Sequence, residues 1–192
     1  MFAIREALPD DMTGCAALRA VYTTQAAWRL SREEISARQS GNMHGAAQPA
    51  MPPTLTFQIQ QIRLPRSRTL TLPSAGVPLA ETWARASLRL VALREEQICG
   101  YVLLLPWLEQ QQGWLARLLV DAPLRGKGAG SLLLRACRNW ASGQGLAALL
   151  AHAPARNVRG ITFYQRRGFQ ISGLVERFYP TREDALLLAR PL

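Results

Sequence analysis

Gly126, Gly128 and Gly130 stand at every second position of the chain, with Arg125 and Lys127 beside them. The run just before, Leu118-Leu119-Val120, is apolar and fits a buried strand; behind, Leu133, Ala136, Cys137 and Trp140 recur at a helical period. Arg135, Arg138 and Asn139 fall on the other face of that helix. Glycine permits positive φ and lacks the Cβ that would hold a ligand away from the main chain. The first amides of the following helix have no intrahelical partner, and the helix dipole adds partial positive charge there. The stretch Leu118, Leu119, Val120, then Arg125, Gly126, Lys127, Gly128, Ala129, Gly130 and Ser131, is therefore suited to seat a phosphate or pyrophosphate.

The spacing excludes two other anion sites. A Walker loop ends in Gly-Lys-Ser/Thr, whereas Lys127 is followed by Gly128. A dinucleotide fingerprint needs its third glycine where Ser131 stands, and an acidic residue about 20 positions on, where none occurs. A second constellation lies downstream. Asn157 is a good helix cap, Tyr164 follows seven residues later, and Gly168-Phe169 suits a helix end and strand start.

Arg125-Gly126-Lys127-Gly128-Ala129-Gly130 resembles the acyl-CoA pyrophosphate loop of the GNAT family of N-acetyltransferases, and Asn157 to Phe169 resembles that family's second signature. The resemblance implies an α/β fold in one domain, residues 1–192, with a mixed, mostly antiparallel central sheet flanked by helices. It implies acetyl-CoA as co-substrate, an amine as acceptor and no metal. The strand ending at Val120 and the strand over Leu146–His152 would splay, so that the pantetheine arm bonds their free edges like an added strand. Asn157 and Tyr164 join the coenzyme-binding residues, and Tyr164 matches the family's general acid.

The chemistry so implied sets its own demands. The acceptor amine must attack uncharged, although alkylamines have a pKa of about 10. The oxyanion needs donors, for which a main-chain N–H on the strand ending at Val120 is the candidate. A phenol's pKa exceeds a thiol's by about 1.5 units, so full proton transfer from Tyr164 to the departing thiolate is uphill by roughly 2 kcal/mol. A hydrogen bond from Tyr164 to the sulfur is the expected role. Many relatives carry a base on the strand before the loop, yet the matching stretch here is Leu115-Ala116-Arg117-Leu118. Glu109 and Glu176 are the candidates to bind or deprotonate the amine, with His152 a third titratable group. A non-catalytic acyl-CoA-binding or regulatory module and an RNA-directed acetyltransferase remain the alternatives.

Composition bounds these readings. The chain has 192 residues, 48% of them apolar, enough for one well-buried domain. No run reaches the roughly 20 apolar residues of a membrane span. Arg5, Glu6, Asp10 and Asp11 oppose a secretory signal. Cys15, Cys99 and Cys137 lie in apolar segments and fit reduced thiols of a cytoplasmic protein. Residues 1–111 hold eleven Arg against nine acids, a net of +2; residues 112–192 hold eleven Arg and Lys127 against four acids, a net of +8. The positive field thus sits on the half with the proposed anion seat, where it favours coenzyme capture. Without a stripe of interleaved aromatic and basic residues, nucleic acid is not expected as the main ligand. The oligomeric state is left at monomer or homodimer.

The remaining elements follow from local pattern. Phe2–Glu6 fits a strand, and Leu8-Pro9-Asp10-Asp11 opens a helix expected to continue to Val21. Trp28–Arg38 is expected as a second helix, with Ser31 and Glu34 as its capping box. Residues 39–53 have no period and suggest a mobile loop, with Met43, His44 and Met51 as acceptor-side candidates. Leu55–Leu64 alternates as a half-exposed strand, and Thr69–Leu72 is a separate extended piece. This layout, with Gly173-Leu174 and Tyr179, is similar to the streptothricin-acetyltransferase branch. Ser87–Leu93, Ile98–Trp107, Trp114–Asp121, Leu146–His152, Phe169–Gly173 and Ala185–Ala189 complete the expected sheet.

Overall fold

A computed structural model describes residues 1–35 and 54–192. The expected loop over 39–53, with Met43, His44 and Met51, lies outside them. The chain order is β1 (Ala3–Glu6), α1 (Asp11–Ala16), β2 (Val21–Ile35), β3 (Thr54–Thr71), α2 (Leu79–Arg85), β4 (Leu88–Arg94) and β5 (Gln97–Trp107). There follow β6 (Gln112–Val120), α3 (Ala129–Gly143), β7 (Ala148–Pro154), α4 (Val158–Gln165), β8 (Gln170–Val175) and β9 (Ala185–Pro191). Seven strands form the main sheet in the order β1-β4-β5-β6-β7-β9-β8, and β2 and β3 form a separate pair. Every contact in the main sheet is antiparallel except β6–β7, whose partners are joined through α3.

The central strand β5 explains why its sequence is apolar without a break. Side chains alternate across a strand, and both faces of β5 are covered. Val102 and Leu104 point to the layer of α3 and α4, where Leu133, Leu134, Cys137, Ile161 and Tyr164 are buried. Tyr101 and Leu103 point to the other layer, against Cys15 of α1 and Trp83 of α2. Leu103 and Leu104 are both fully buried, which stabilises the fold by about 1.5–3 kcal/mol for each.

Two elements depart from local pattern. The first helix stops at Ala16, where the Leu18 N–H turns back to the Cys15 carbonyl; at its start the Asp11 carboxylate takes the Leu8 N–H at 2.7 Å and the Arg5 guanidinium at 2.5 Å. Val21, Tyr22, Thr23 and Thr24, which favour extended backbone, then enter β2. The expected helix over Trp28–Arg38 is instead strand through Ile35. Ser31 lies opposite Gln58, and the Trp28 N–H donates to the Ala155 carbonyl at 2.9 Å, so Ser31 caps nothing. Leu55–Leu64 is strand as expected and continues through Thr69 within β3; Leu64 to Ser67 loop out opposite Gln25.

Candidate active site

The glycine turn is held open from below. After β6 the chain makes one 3-10 turn, Ala122–Leu124, and reaches Gly126 and Gly128 at φ +79° and +106°. A Cβ at either glycine would meet nothing within 4 Å, so the space over the turn is free. Main-chain bonding resumes with the N–H groups of Ser131 and Leu132, which donate to the Gly128 carbonyl. Among the described residues the amides of 126–130 have no main-chain acceptor outside α3, whose first amides lack one by geometry. Gly130 serves packing instead. A Cβ there would stand 3.2 Å from the Phe163 ring, so the glycine lets α3 and α4 approach.

Arg125 shapes this turn with its side chain. Its Nε donates to the Val120 carbonyl at 2.8 Å, Nη2 to that of Arg19 at 3.0 Å, and Nη1 to that of Val21. Asp121 accepts from the Arg19 main chain at 2.9 Å and from its guanidinium at 3.1 Å, and those bonds hold its carboxyl below the usual range. The start of β2 is thus tied to the turn from both sides. Ser131 accepts from Arg167, whose guanidinium lies 3.8 Å over the Phe163 ring. Lys127 is exposed. Asn157 caps α4, its Oδ1 accepting from Gly160 N–H at 3.0 Å. Tyr164, the penultimate residue of α4, is 8% exposed and packs edge-on against Phe163 and Phe169. Burial pushes its phenol up from the ordinary value.

Between these two helix starts the sheet opens. The β6–β7 ladder runs from Gln112–Ala148 to Leu115–Ala151 and stops. Beyond it, Leu118, Leu119 and Val120 pair only with β5, and His152 to Pro154 pair only with β9. At the same level β6 carries a bulge: Leu115 faces Leu104 and Arg117 faces Leu103, which leaves Ala116 unpaired. Fork and bulge coincide.

A cleft of about 80 Å³ meets the fork, lined by Trp114, Ala116 and Arg117 of β6, His152 of β7, Thr82 and Arg85 of α2, and Val77 before it. Trp107, Trp114 and His152 stack in a row, with ring centroids 5.6 and 5.4 Å apart, and Phe178 lies 4.9 Å from His152. His152 Nδ1 is 2.7 Å from the Tyr179 hydroxyl. Burial pushes that phenol up as well, so it stays protonated. Which of the two supplies the hydrogen of that bond is set by the His152 tautomer. Burial, then the Arg117 charge, lowers the His152 pKa to about 4. A larger cavity, about 350 Å³, is lined by Leu64, Pro65, Arg66, Arg68 and Arg156; it takes no residue from the turn or fork.

Residues 58–169 match the model of the acetyltransferase (GNAT) family. The chain belongs to that family. Solved GNAT-type structures share its whole fold at low identity. A nourseothricin acetyltransferase superposes with TM-score 0.76 at 20% identity, covering 99% of this chain and 98% of that one. A protein assigned as a streptothricin acetyltransferase from Bacillus anthracis str. Ames, solved with acetyl coenzyme A, gives 0.71 at 17% identity and complete coverage of both chains. The ribosomal-protein-S18-alanine N-acetyltransferase of Escherichia coli gives 0.63 at 16%, covering 100% of this chain and 94% of that one. No curated protein matches the chain in sequence.

Leu118, Leu119 and Val120 lie on the β6 edge beyond the fork with the glycine turn directly after them, and Asn157 and Tyr164 lie on α4, which follows β7. The two acidic candidates lie away from the cleft. Glu109 is exposed in the turn between β5 and β6, and Glu176 is exposed beyond β8, paired with Arg32 at 2.5 Å. Neither lines the cleft. Sequence reasoning passed over Trp114 and Tyr179 as site residues and left Arg117 without a role. One signal was present: His152 is the ionisable residue of β7, on the face opposite buried Leu149, Ala151 and Ala153. Among the described residues no His, Cys, Asp and Glu cluster has metal-binding form, and no helix is long and apolar enough to cross a membrane.

Proposed function

We propose that this GNAT enzyme transfers an acetyl group from acetyl-CoA to a primary amine of a small molecule or of a peptide or protein. The observation that carries the reading is the fork beyond Leu115 and Ala151, which leads from the open glycine turn to the cleft. Ala116 to Val120 offer roughly 15 Å of free strand edge, a lane for an extended pantetheine arm, while the amides of 126–130 take the diphosphate. Acetyl-CoA supplies the activated acyl group; the chain's own residues orient it and manage charge.

Negative charge developing on the acyl oxygen is met by main-chain N–H on β6, with Ala116 at the bulge. The Tyr164 hydroxyl donates a hydrogen bond to the departing sulfur. Its raised pKa makes outright proton transfer less favourable still, so the bond acts in the transition state. The amine is kept uncharged by the cleft itself: burial and the guanidinium groups of Arg85 and Arg117 both disfavour an ammonium. Glu109 and Glu176 take no part in this chemistry. The neighbours act on acceptors as different as nourseothricin and the alanine of ribosomal protein S18, so fold alone does not choose among amines. The buried, unpaired thiols of Cys15, Cys99 and Cys137 support a reducing, cytoplasmic setting.

Thiol release from acetyl-CoA across a panel of amines tests the reading. Amine-dependent release with an acetyl-CoA melting shift supports it. A melting shift with no turnover leaves a coenzyme-binding module, and no shift removes the reading altogether.

A further inference from the structure

The cleft at the fork is lined by two cations and, among the described residues, by no carboxylate. Arg117 is half-buried, and its Nη2 donates to the Val77 carbonyl at 2.6 Å. Among the described residues no acidic side chain pairs with it. Its charge is nonetheless felt nearby, since it lowers the His152 pKa and opposes the rise at Tyr179. Arg85 has a counter-charge, Glu81, at 3.4 Å, but both side chains are more than half exposed, and such pairs contribute little.

The neutral groups in the cleft add no negative charge. Tyr179 takes His152 Nδ1, the Thr82 hydroxyl spends its hydrogen on the Pro78 carbonyl, and the Trp114 indole is a donor only. A half-buried guanidinium with unused N–H groups matches the planar, charge-bearing oxygens of a carboxylate or phosphate. An ammonium-rich acceptor would meet like charge and find no carboxylate on these walls.

We infer that the acceptor is an amine carrying an acid group, carboxylate or phosphate, which Arg117 holds in the cleft beside Ala116; this rests on the acetyl-transfer reading above. The bound acid neutralises Arg117, and Arg85 keeps the cleft unfavourable to an ammonium. Arg117 is then a specificity-determining residue that touches substrate, standing on the strand where many relatives carry a base.

The test is kcat/KM at saturating acetyl-CoA for two matched pairs, β-alanine against β-alaninamide and O-phosphoethanolamine against ethanolamine. The acid member of at least one pair is expected to lead by about tenfold or more, and the two pairs separate carboxylate from phosphate. Arg117→Gln should bring that ratio close to one, Arg117→Lys should retain part of it, and neither should alter the melting shift given by acetyl-CoA. Equal or better turnover of the uncharged-group members overturns the inference, as does an Arg117→Gln effect that is the same on both members. If no member turns over, the melting shift that N-acetyl-β-alanine gives to the CoA complex decides. A shift absent with the amide and lost in Arg117→Gln supports the inference; no such difference overturns it. An acetyl-CoA shift without acid preference sinks this inference alone, whereas no acetyl-CoA shift sinks the acetyl-transfer reading and this with it.

Discussion

Leu115 and Ala151 are the last residues paired across the only parallel contact of the main sheet, and Ala116, the next residue of β6, is unpaired on β5 as well. A strand that loses both neighbours at one level exposes main-chain groups that must bond to something else. In this chain the loss falls at the cleft, which Ala116 lines, and the open glycine turn follows the far end of the same strand, so an extended ligand on the free edge would run from one to the other.

Gly128 has φ +106°, where any L side chain is strained, and an added Cβ projects into free space. Gly128→Ala should cost about 1–3 kcal/mol of stability and abolish the melting shift given by CoA. Thermal unfolding with and without CoA checks both. An undiminished shift would show that the diphosphate does not rest on this turn.

Tyr164→Phe keeps the ring that packs on Phe163 and Phe169 and removes only the hydroxyl. A hydrogen bond to a charged group is worth about 1.5–3 kcal/mol, so kcat should fall by about 10- to 150-fold. The dissociation constant for acetyl-CoA should stay within about twofold. Unchanged kcat would take Tyr164 out of the reaction.

Arg125 supports the turn through three carbonyls on two segments. Lysine brings charge without the guanidinium fork. Arg125→Lys should therefore lower stability by about 1–3 kcal/mol, a loss of roughly 2–12 °C in Tm for a domain of this size, and weaken CoA binding as well. A Tm equal to the wild type would mean that the clamp is idle in solution.

His152 makes stability depend on pH. Its folded pKa, about 4, lies below the ordinary 6.5, so between those values the unfolded chain binds more protons. Stability therefore falls as pH drops from 6.5 toward 4 and is fully present above 6.5. Denaturant unfolding at several pH values should show a shallower fall for His152→Gln than for the wild type. Parallel curves would place the imidazole in water. Tyr179→Phe, which leaves Nδ1 without its hydrogen-bond partner, should cost about 1–3 kcal/mol at neutral pH.

The part of the fold built on local pattern was legible in the sequence. Leu133 and Cys137 of α3 are fully buried and Trp140 packs beside them, as their spacing requires, and Gly126 and Gly128 do lie on a strand-to-helix turn, with Gly130 just inside α3. The β2–β3 pair was hidden because Ser31 and Glu34 have cap spacing and Ala26, Ala27, Arg29 and Leu30 suit a helix; the strand arises from pairing with a segment about thirty residues away and from the Trp28–Ala155 bond. The cleft was hidden for a similar reason. Val77 and Thr82 come from α2 and the residues just before it, Arg117 from β6 and His152 from β7, and only the folded chain brings them together.

The central claim is that the fork and the glycine turn hold one extended coenzyme. A crystal structure of the protein grown with acetyl-CoA tests it most directly. The diphosphate is expected on the amides of 126–130 and the pantetheine arm between β6 and β7, with the acyl carbon next to Ala116. A diphosphate seated elsewhere, or β6 and β7 closed against each other above Leu115, would contradict the claim.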